Sequence, residues 1–141
     1  MADTIRGAVI GYGAAFNMGK AHANMMQHAE EIQCVAICDI DPARTEAAKT
    51  DFPGVSAYNS VEELLADDNV DLVANVLPHS LHCSVSVQSL KAGKHVVVEK
   101  PMCITIAEAT EMINAAKEND LMLSVHHNRR WDSDFWTLRE L

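Results

Sequence analysis

Two short motifs constrain this chain more than any other feature: a glycine-rich turn, Gly11-Tyr12-Gly13, near its start, and Glu99-Lys100-Pro101 in its second half. The glycine turn follows an apolar run, residues 5–10, and precedes a segment with helical spacing, about residues 18–30. This order of strand, turn and helix predicts a dinucleotide site, because a pyrophosphate must approach bare backbone amides at a helix N-terminus and a side chain would block it. The expected cofactor contacts in this turn are Gly11, Tyr12, Gly13, Ala14 and Ala15.

The turn departs from the usual Gly-X-Gly-X-X-Gly spacing. Phe16 stands where the third glycine is expected, and the next glycine is Gly19. We therefore expect a loop three residues longer than usual. Two glycines alone can mark any turn, so the prediction depends on the strand before them, the helix after them and the acidic residue Asp39.

Asp39 closes a second apolar run, Ile32 to Cys38. A carboxylate at the end of this strand can accept hydrogen bonds from ribose hydroxyls and repels a 2′-phosphate. The sequence therefore favours NAD over NADP. Arg44 lies a few residues further on and leaves NADP possible.

Strand and helix signals alternate along the chain. We predict strands at 5–10, 32–38, 55–58, 71–77, 94–99 and 121–125, with helices at about 18–30, 41–51, 60–67, 79–92, 105–119 and from 132 onward. Capping-box patterns begin the helices at Ser60 and Thr105, and Gly93 ends the fourth helix. The alternation predicts an α/β fold of the Rossmann type, a doubly wound parallel sheet of order 3-2-1-4-5-6 with helices on both faces.

In such a sheet a ligand lies beyond the carboxyl ends of the strands. The candidate positions at this edge are residues 11–15, Asp39, residues 77–79, residues 99–101 and residues 126–130.

Charge and composition exclude several classes of function. The net charge is -9, and the eleven basic residues form no run longer than Arg129-Arg130, so we expect no nucleic-acid partner and no attraction to an anionic membrane. No apolar run approaches the roughly 18 residues of a membrane span, and no basic patch precedes an apolar stretch at the N-terminus, so a cytoplasmic protein is expected. The four cysteines form no Cys-X-X-Cys pair and are expected to be buried, reduced thiols.

Several segments, taken in order, resemble one protein family. They are Gly11-Tyr12-Gly13, Gly19-Lys20-Ala21-His22, Cys38-Asp39-Ile40-Asp41, Leu77-Pro78-His79 with His82, Ala92-Gly93-Lys94-His95-Val96, Glu99-Lys100-Pro101 and Asn128-Arg129-Arg130-Trp131. Nearly the whole chain resembles the N-terminal domain of the glucose-fructose oxidoreductase, inositol dehydrogenase and rhizopine catabolism (Gfo/Idh/MocA) family. The resemblance implies an NAD(P)-dependent oxidoreductase that transfers hydride between nicotinamide and a hydroxyl or ketone of a sugar, cyclitol or related polyol.

The resemblance also implies roles for individual residues. Lys100 matches the family lysine that lies beside the reacting carbon and hydrogen-bonds the substrate hydroxyl, and Glu99 would contact the nicotinamide ribose. A lysine beside an apolar nicotinamide loses hydration, which favours its neutral form and suits proton transfer. The remaining implied cofactor contacts are Leu77, Pro78, His79, His82, Asn128 and Arg129, together with Lys100 itself.

Family members are about twice this length or longer, and their second domain completes the catalytic group, the substrate pocket and the oligomer interface. We therefore expect residues 1–127 to form the NAD(P)-binding domain and residues 128–141 to begin the connection to a C-terminal substrate domain absent from this chain. The resemblance implies a homo-oligomer for the full-length protein and a small polyhydroxylated substrate. The chain alone is expected to bind cofactor, to catalyse little, and to associate through the apolar face that the second domain would cover.

Three alternatives remain open. His79-X-X-His82 and His126-His127 fall near the predicted edge, but neither pair has the spacing or acidic companion of a zinc site, so no metal is expected. Arg129 and Arg130 could bind a phosphate or a substrate carboxylate, or could form surface ion pairs. The alternative to an enzyme is a dinucleotide-binding module that senses redox state without chemistry; Lys100 favours the enzyme.

Overall fold

The computed structural model describes residues 4–13 and 17–141. Within them six parallel strands form one sheet in the order β3-β2-β1-β4-β5-β6. The chain therefore moves from one half of the sheet to the other between β3 and β4, which places the switch point between the adjacent strands β1 and β4. The predicted doubly wound order is confirmed.

The strands are β1 (Ile5–Ile10), β2 (Ile32–Cys38), β3 (Ser56–Tyr58), β4 (Leu72–Asn75), β5 (His95–Val98) and β6 (Leu123–Val125). The helices are α1 (Met18–His28), α2 (Pro42–Asp51), α3 (Val61–Leu65), α4 (His82–Lys91), α5 (Ile106–Glu118) and α6 (Ser133–Glu140). Short 3₁₀ turns, His79–Leu81 and Asn128–Trp131, precede α4 and α6. Among the described residues, no helix is both long and apolar enough to cross a membrane.

Both faces of the sheet are covered, because successive residues of a strand point to opposite faces. Val9 packs with Ala23 of α1 and Ala48 of α2 in one apolar cluster. Its neighbours along β1, Ala8 and Ile10, pack instead with residues of α3 and α4. A third cluster joins α4, β5 and α5. The strands are apolar at almost every position because their side chains enter a core on each face of the sheet, as expected for a parallel sheet.

The predicted elements are all present, but several are shorter than the patterns indicated. The fourth strand ends at Asn75 rather than at residue 77, and the following helix begins with a 3₁₀ turn after Pro78. Thr105 forms a complete capping box with Glu108. At Ser60 the side chain accepts a hydrogen bond from the amide of Glu63, which is half of the predicted box.

Candidate functional site

A cleft of about 570 Å³ lies at the carboxyl ends of β1, β4 and β5, next to the switch point. Its walls come from the turn after β1, the start of α1, the segment after β4 and the end of β5. The lining residues are Gly11, Tyr12, Gly13, Asn17, Met18, Gly19, Val76, Leu77, Pro78, His79, His82, Glu99 and Lys100. This volume is in the range of small-molecule and cofactor pockets.

The glycine turn has the backbone geometry that a close ligand requires. Gly11 has a φ of +94°, and a Cβ there would lie 2.7 Å from the carbonyl oxygen of Val76. Gly13 has a φ of +52°, and a Cβ there would meet nothing within 4 Å, so its backbone faces open space at the cleft. Positive φ values favour glycine at both positions. The cleft therefore fits the approach of a phosphate group to bare backbone at the start of α1.

Gly19 supplies the close helix–turn packing that the third glycine of the usual spacing provides. A Cβ on this residue, in the first turn of α1, would lie 2.3 Å from the carbonyl oxygen of Gly11 and 2.6 Å from Cα of Tyr12. The helix therefore passes directly against the glycine turn. Ala14, Ala15 and Phe16, which carry the predicted longer loop, lie outside the described residues.

Asp39 lies beside the glycine turn, at the end of β2. Its Oδ2 accepts a hydrogen bond from the Gly13 amide at 2.8 Å, and its Oδ1 accepts one from the Asp41 amide at 3.0 Å. The side-chain amide of Asn59 donates to the Asp39 carbonyl at 3.0 Å. The carboxylate is thus held in one orientation by backbone groups, while each oxygen keeps a second lone pair for a ribose hydroxyl.

Tyr12 connects the same turn to α2. Its ring is buried, and its hydroxyl donates to Asp51 Oδ2 at 2.6 Å, while Lys20 Nζ donates to Asp51 Oδ1 at 2.7 Å. Burial raises the pKa of the Tyr12 hydroxyl, and the bond to Asp51 raises it further. The Tyr12 side chain therefore ties the turn to the end of α2.

Glu99 is a buried carboxylate at the end of β5, with only 7% of its surface exposed. Its Oε1 accepts hydrogen bonds from His22 Nε2 at 2.8 Å and from His126 Nδ1 at 2.9 Å, and its Oε2 accepts one from the Lys100 amide at 3.0 Å. Burial raises the pKa of Glu99, but these three bonds outweigh it and lower the pKa overall. Burial lowers the pKa of His22, which keeps that ring neutral. The arrangement is an ionised carboxylate between two imidazole donors.

Among the described residues, the same three side chains form the group that could hold a metal ion. One ligand atom from each of His22, Glu99 and His126 lies within 4.8 Å of the others. The two nitrogens are at hydrogen-bond distance from a single carboxylate oxygen, so their ring protons account for the contacts. The expectation that the protein binds no metal stays a prediction.

Lys100 is exposed and lines two adjoining clefts. The second cleft, of about 750 Å³, also holds Asn128 and Arg129. The Arg129 guanidinium is paired with Asp132 at 2.8 Å, which is the surface ion pair considered from the sequence.

The structure brings most of the predicted site residues to one place. The first cleft contains Gly11, Tyr12, Gly13, Leu77, Pro78, His79, His82, Glu99 and Lys100. Asp39 joins it through the Gly13 amide, and Asn128 and Arg129 line the neighbouring cleft. The predicted catalytic and cofactor contacts did not include His22 or His126, although residues 126–130 were among the candidate positions at the sheet edge. His22 lies in one of the motifs that carried the resemblance and His126 follows a strand, but only their shared contact with Glu99 distinguishes them.

Comparison with known proteins gives consistent matches to this fold and site. Residues 5–127 match the GFO_IDH_MocA family model, described as an oxidoreductase family with an NAD-binding Rossmann fold. The chain is similar to scyllo-inositol 2-dehydrogenase (NADP(+)) IolW of Bacillus subtilis (strain 168), with 39% identity over 139 residues that cover 99% of this chain and 37% of that protein.

Two solved structures show the same fold. An NAD-binding protein from Listeria innocua has a TM-score of 0.90 at 34% identity, and the match covers 98% of this chain and 40% of that one. The WlbA dehydrogenase of Chromobacterium violaceum, in complex with NADH and UDP-GlcNAcA, has a TM-score of 0.89 at 30% identity and covers 99% of this chain and 39% of that one. The chain thus spans 37 to 40% of the length of these proteins.

Proposed function

The chain belongs to the Gfo/Idh/MocA oxidoreductase family, and we propose that it is the cofactor-binding part of a dehydrogenase acting on a sugar, cyclitol or related polyol. The proposed reaction transfers hydride between nicotinamide and a hydroxyl or ketone carbon. The observation that carries this proposal is the position of Lys100 and Glu99 on the wall of the cleft that also holds the glycine turn.

The residues of the cleft fit a dinucleotide. The backbone of Gly11 and Gly13 and the start of α1 would hold the pyrophosphate, and Asp39 would hold the ribose hydroxyls of the adenosine half. The oriented carboxylate of Asp39 would also repel a 2′-phosphate, which supports NAD as the preferred cofactor. Arg44, whose Nε lies 3.8 Å from Asp41 Oδ2, is the nearby cation that could instead accommodate NADP.

Lys100 is the proposed catalytic residue. When bound, the nicotinamide would accept or supply the hydride. In the oxidation direction Lys100 would hold the substrate hydroxyl and take its proton as the carbon loses hydride; in reduction it would return that proton to the oxygen. Glu99, whose Oε2 accepts a hydrogen bond from the Lys100 backbone amide, would contact the nicotinamide ribose.

The names of similar proteins support a polyol as the substrate class. One similar protein is named for scyllo-inositol, and a similar structure holds a nucleotide-linked sugar acid. Both ligands offer ring hydroxyls with a hydrogen on the same carbon, which is the chemistry that hydride transfer requires. A polyhydroxylated ring is therefore the substrate class proposed for the protein that contains this domain.

Calorimetric titration of the 141-residue chain with NAD and NADP tests the cofactor site directly. We expect NAD to bind more tightly than NADP, and Lys100→Ala to bind NAD as the wild type does. A chain that binds neither nucleotide would contradict the proposal.

The chemical role of Lys100 needs a complete active site. A chimera in which this chain replaces the matching segment of IolW would be assayed with scyllo-inositol, with Lys100→Ala compared with Lys91→Ala, an exposed lysine at the end of α4. We expect turnover to be lost in Lys100→Ala and kept in Lys91→Ala. Equal turnover in both variants would refute the role of Lys100.

A further inference from the structure

His22 and His126 hold the Glu99 carboxylate without lining the cleft themselves. Glu99 forms part of the cleft wall, and neither histidine is among the described residues that do. His22 is buried and His126 is partly buried, and their ring centroids lie 4.5 Å apart. The proposed reaction gives neither ring a task.

The hydrogen bonds to Glu99 leave room for about one further donor. An ionised carboxylate only accepts hydrogen bonds and offers about two lone-pair positions on each oxygen. Its Oε1 takes two donors, His22 Nε2 at 2.8 Å and His126 Nδ1 at 2.9 Å. Its Oε2 takes the Lys100 amide at 3.0 Å. The two histidines therefore fix which oxygen keeps a position for a ligand, and that oxygen is Oε2.

Helix α1 connects this carboxylate to the glycine turn. Gly19 and His22 are three positions apart, so they lie on one side of the helix. Gly19 packs against the backbone of the glycine turn, while the His22 ring bonds to Glu99. One turn of α1 therefore sets the distance between the proposed pyrophosphate site and the Glu99 carboxylate.

We propose that His22 and His126 are positioning residues, which hold Glu99 so that its Oε2 accepts a hydrogen bond from a hydroxyl of the nicotinamide ribose. This inference rests on the proposed function. Each histidine acts through Glu99 and touches neither cofactor nor substrate. An acceptor that is already held in place by α1 and by the segment after β6 loses less conformational freedom when the ribose binds, which favours binding.

Three ligands of increasing size separate this role from a general effect on the site. ADP contains the adenosine and the pyrophosphate, ADP-ribose adds the second ribose, and NAD adds the nicotinamide. If Glu99 contacts the second ribose, a loss of its orientation weakens the binding of ADP-ribose and NAD and leaves that of ADP unchanged. Calorimetric titration of the 141-residue chain with each ligand measures these affinities.

Paired substitutions at each histidine keep or remove the donor. An Asn amide can replace Nδ1 of His126 and a Gln amide can replace Nε2 of His22, whereas Leu and Met donate no hydrogen bond. We expect His126→Leu and His22→Met to weaken ADP-ribose and NAD binding by roughly tenfold, as for the loss of one hydrogen bond to a charged group. His126→Asn, His22→Gln and the control His28→Leu, at an exposed histidine near the end of α1, should bind all three ligands as the wild type does.

Glu99→Ala shows whether the histidines act through the carboxylate. This variant should lose at least as much affinity for ADP-ribose as His126→Leu does, and the double variant should lose no more than Glu99→Ala alone. Additive losses would mean that His126 acts independently of Glu99, which overturns the proposal. If Glu99→Ala keeps full affinity for ADP-ribose, the ribose contact is absent and the proposal fails.

The positioning role and the proposed function can fail separately. Equal losses in the variants that keep and that remove the donor, or losses that include ADP, would overturn the positioning role alone. A wild-type chain that binds neither ADP nor NAD would overturn the proposed function and the ribose contact together. If His22→Met does not fold, the partly buried His126 and its two variants decide the outcome.

NMR of the ¹⁵N-histidine-labelled chain tests the hydrogen bonds without any cofactor. The signals of His22 and His126 would be assigned by their absence in His22→Gln and His126→Asn. We expect a proton on Nε2 of His22 and on Nδ1 of His126, because each faces an oxygen that only accepts. A bare nitrogen at either position would overturn the positioning of Glu99 by that ring.

Discussion

Replacing Gly19 with alanine tests the close contact between α1 and the glycine turn. The new Cβ would lie 2.3 Å from the Gly11 carbonyl oxygen, 2.6 Å from Tyr12 Cα and 2.9 Å from the Tyr12 carbonyl oxygen. All three are backbone atoms, so they cannot move aside as a flexible side chain could. The helix or the turn must shift instead.

The expected cost follows from this crowding. Overpacking of a tight contact costs about 1–3 kcal/mol, and the better helix propensity of alanine returns up to ~1 kcal/mol. Because all three contacts are with backbone atoms, the upper part of the overpacking range, about 2–3 kcal/mol, applies. The net loss of unfolding free energy should therefore be about 1–2 kcal/mol, which lowers the melting temperature by roughly 3–6 °C in a domain of this size. A displaced turn should also weaken NAD binding at least about tenfold, or ~1.4 kcal/mol.

Thermal unfolding and calorimetric titration of Gly19→Ala measure the two effects. Gly54→Ala is the control, because Gly54 has a φ of +98° but a Cβ there would meet nothing within 4 Å, and it does not line the cleft. The control should lose stability through backbone strain and keep its NAD affinity. If Gly19→Ala matches the wild type in both stability and affinity, the packing argument is wrong.

Two further perturbations test the energetics of the fold. The pKa of His22 is lowered by burial, so its unfolded form takes up a proton first as the pH falls; unfolding free energy should therefore decrease below about pH 6.5. The pKa of Glu99 is also lowered, so the unfolding free energy should fall again below about pH 4.3. When the unfolding free energy is measured with urea from pH 7 to 4, His22→Gln should show a smaller decrease just below pH 6.5 than the wild type does. An unchanged profile in that variant would exclude His22 as the source. Thr105→Ala removes the complete capping box of α5 and should cost about 1 kcal/mol in urea unfolding. Ser60→Ala removes a single capping bond at the short helix α3 and should lower the unfolding free energy by no more than Thr105→Ala does. A larger loss at Ser60 would show that the second bond of the capping box at Thr105 adds no stability.

Much of this molecule could be predicted from local patterns. The apolar run of β1, the glycines after it and Asp39 after β2 each act through neighbouring residues, so their spacing was sufficient to predict strand, turn and carboxylate. The alternation of strands and helices then led to the sheet order, because parallel strands require crossovers. The position of Lys100 at the end of β5 followed from the same topology.

Other features depend on contacts between residues far apart in the chain. His22 and Glu99 are separated by 77 positions, and no periodicity relates them; folding of α1 against the end of β5 brings them within 2.8 Å. In the sequence Gly19 was only the next glycine after the expected third position, and the packing of α1 shows that it makes the close approach to the turn.

The ring of His82 likewise contacts two carbonyl groups from separate segments, those of Leu77 and Pro101. The sequence by itself therefore determined the architecture and the edge of the sheet where chemistry would lie, because strand and helix patterns are local. Only the tertiary structure decided which buried groups meet there, since hydrogen-bond partners are set by distances in space.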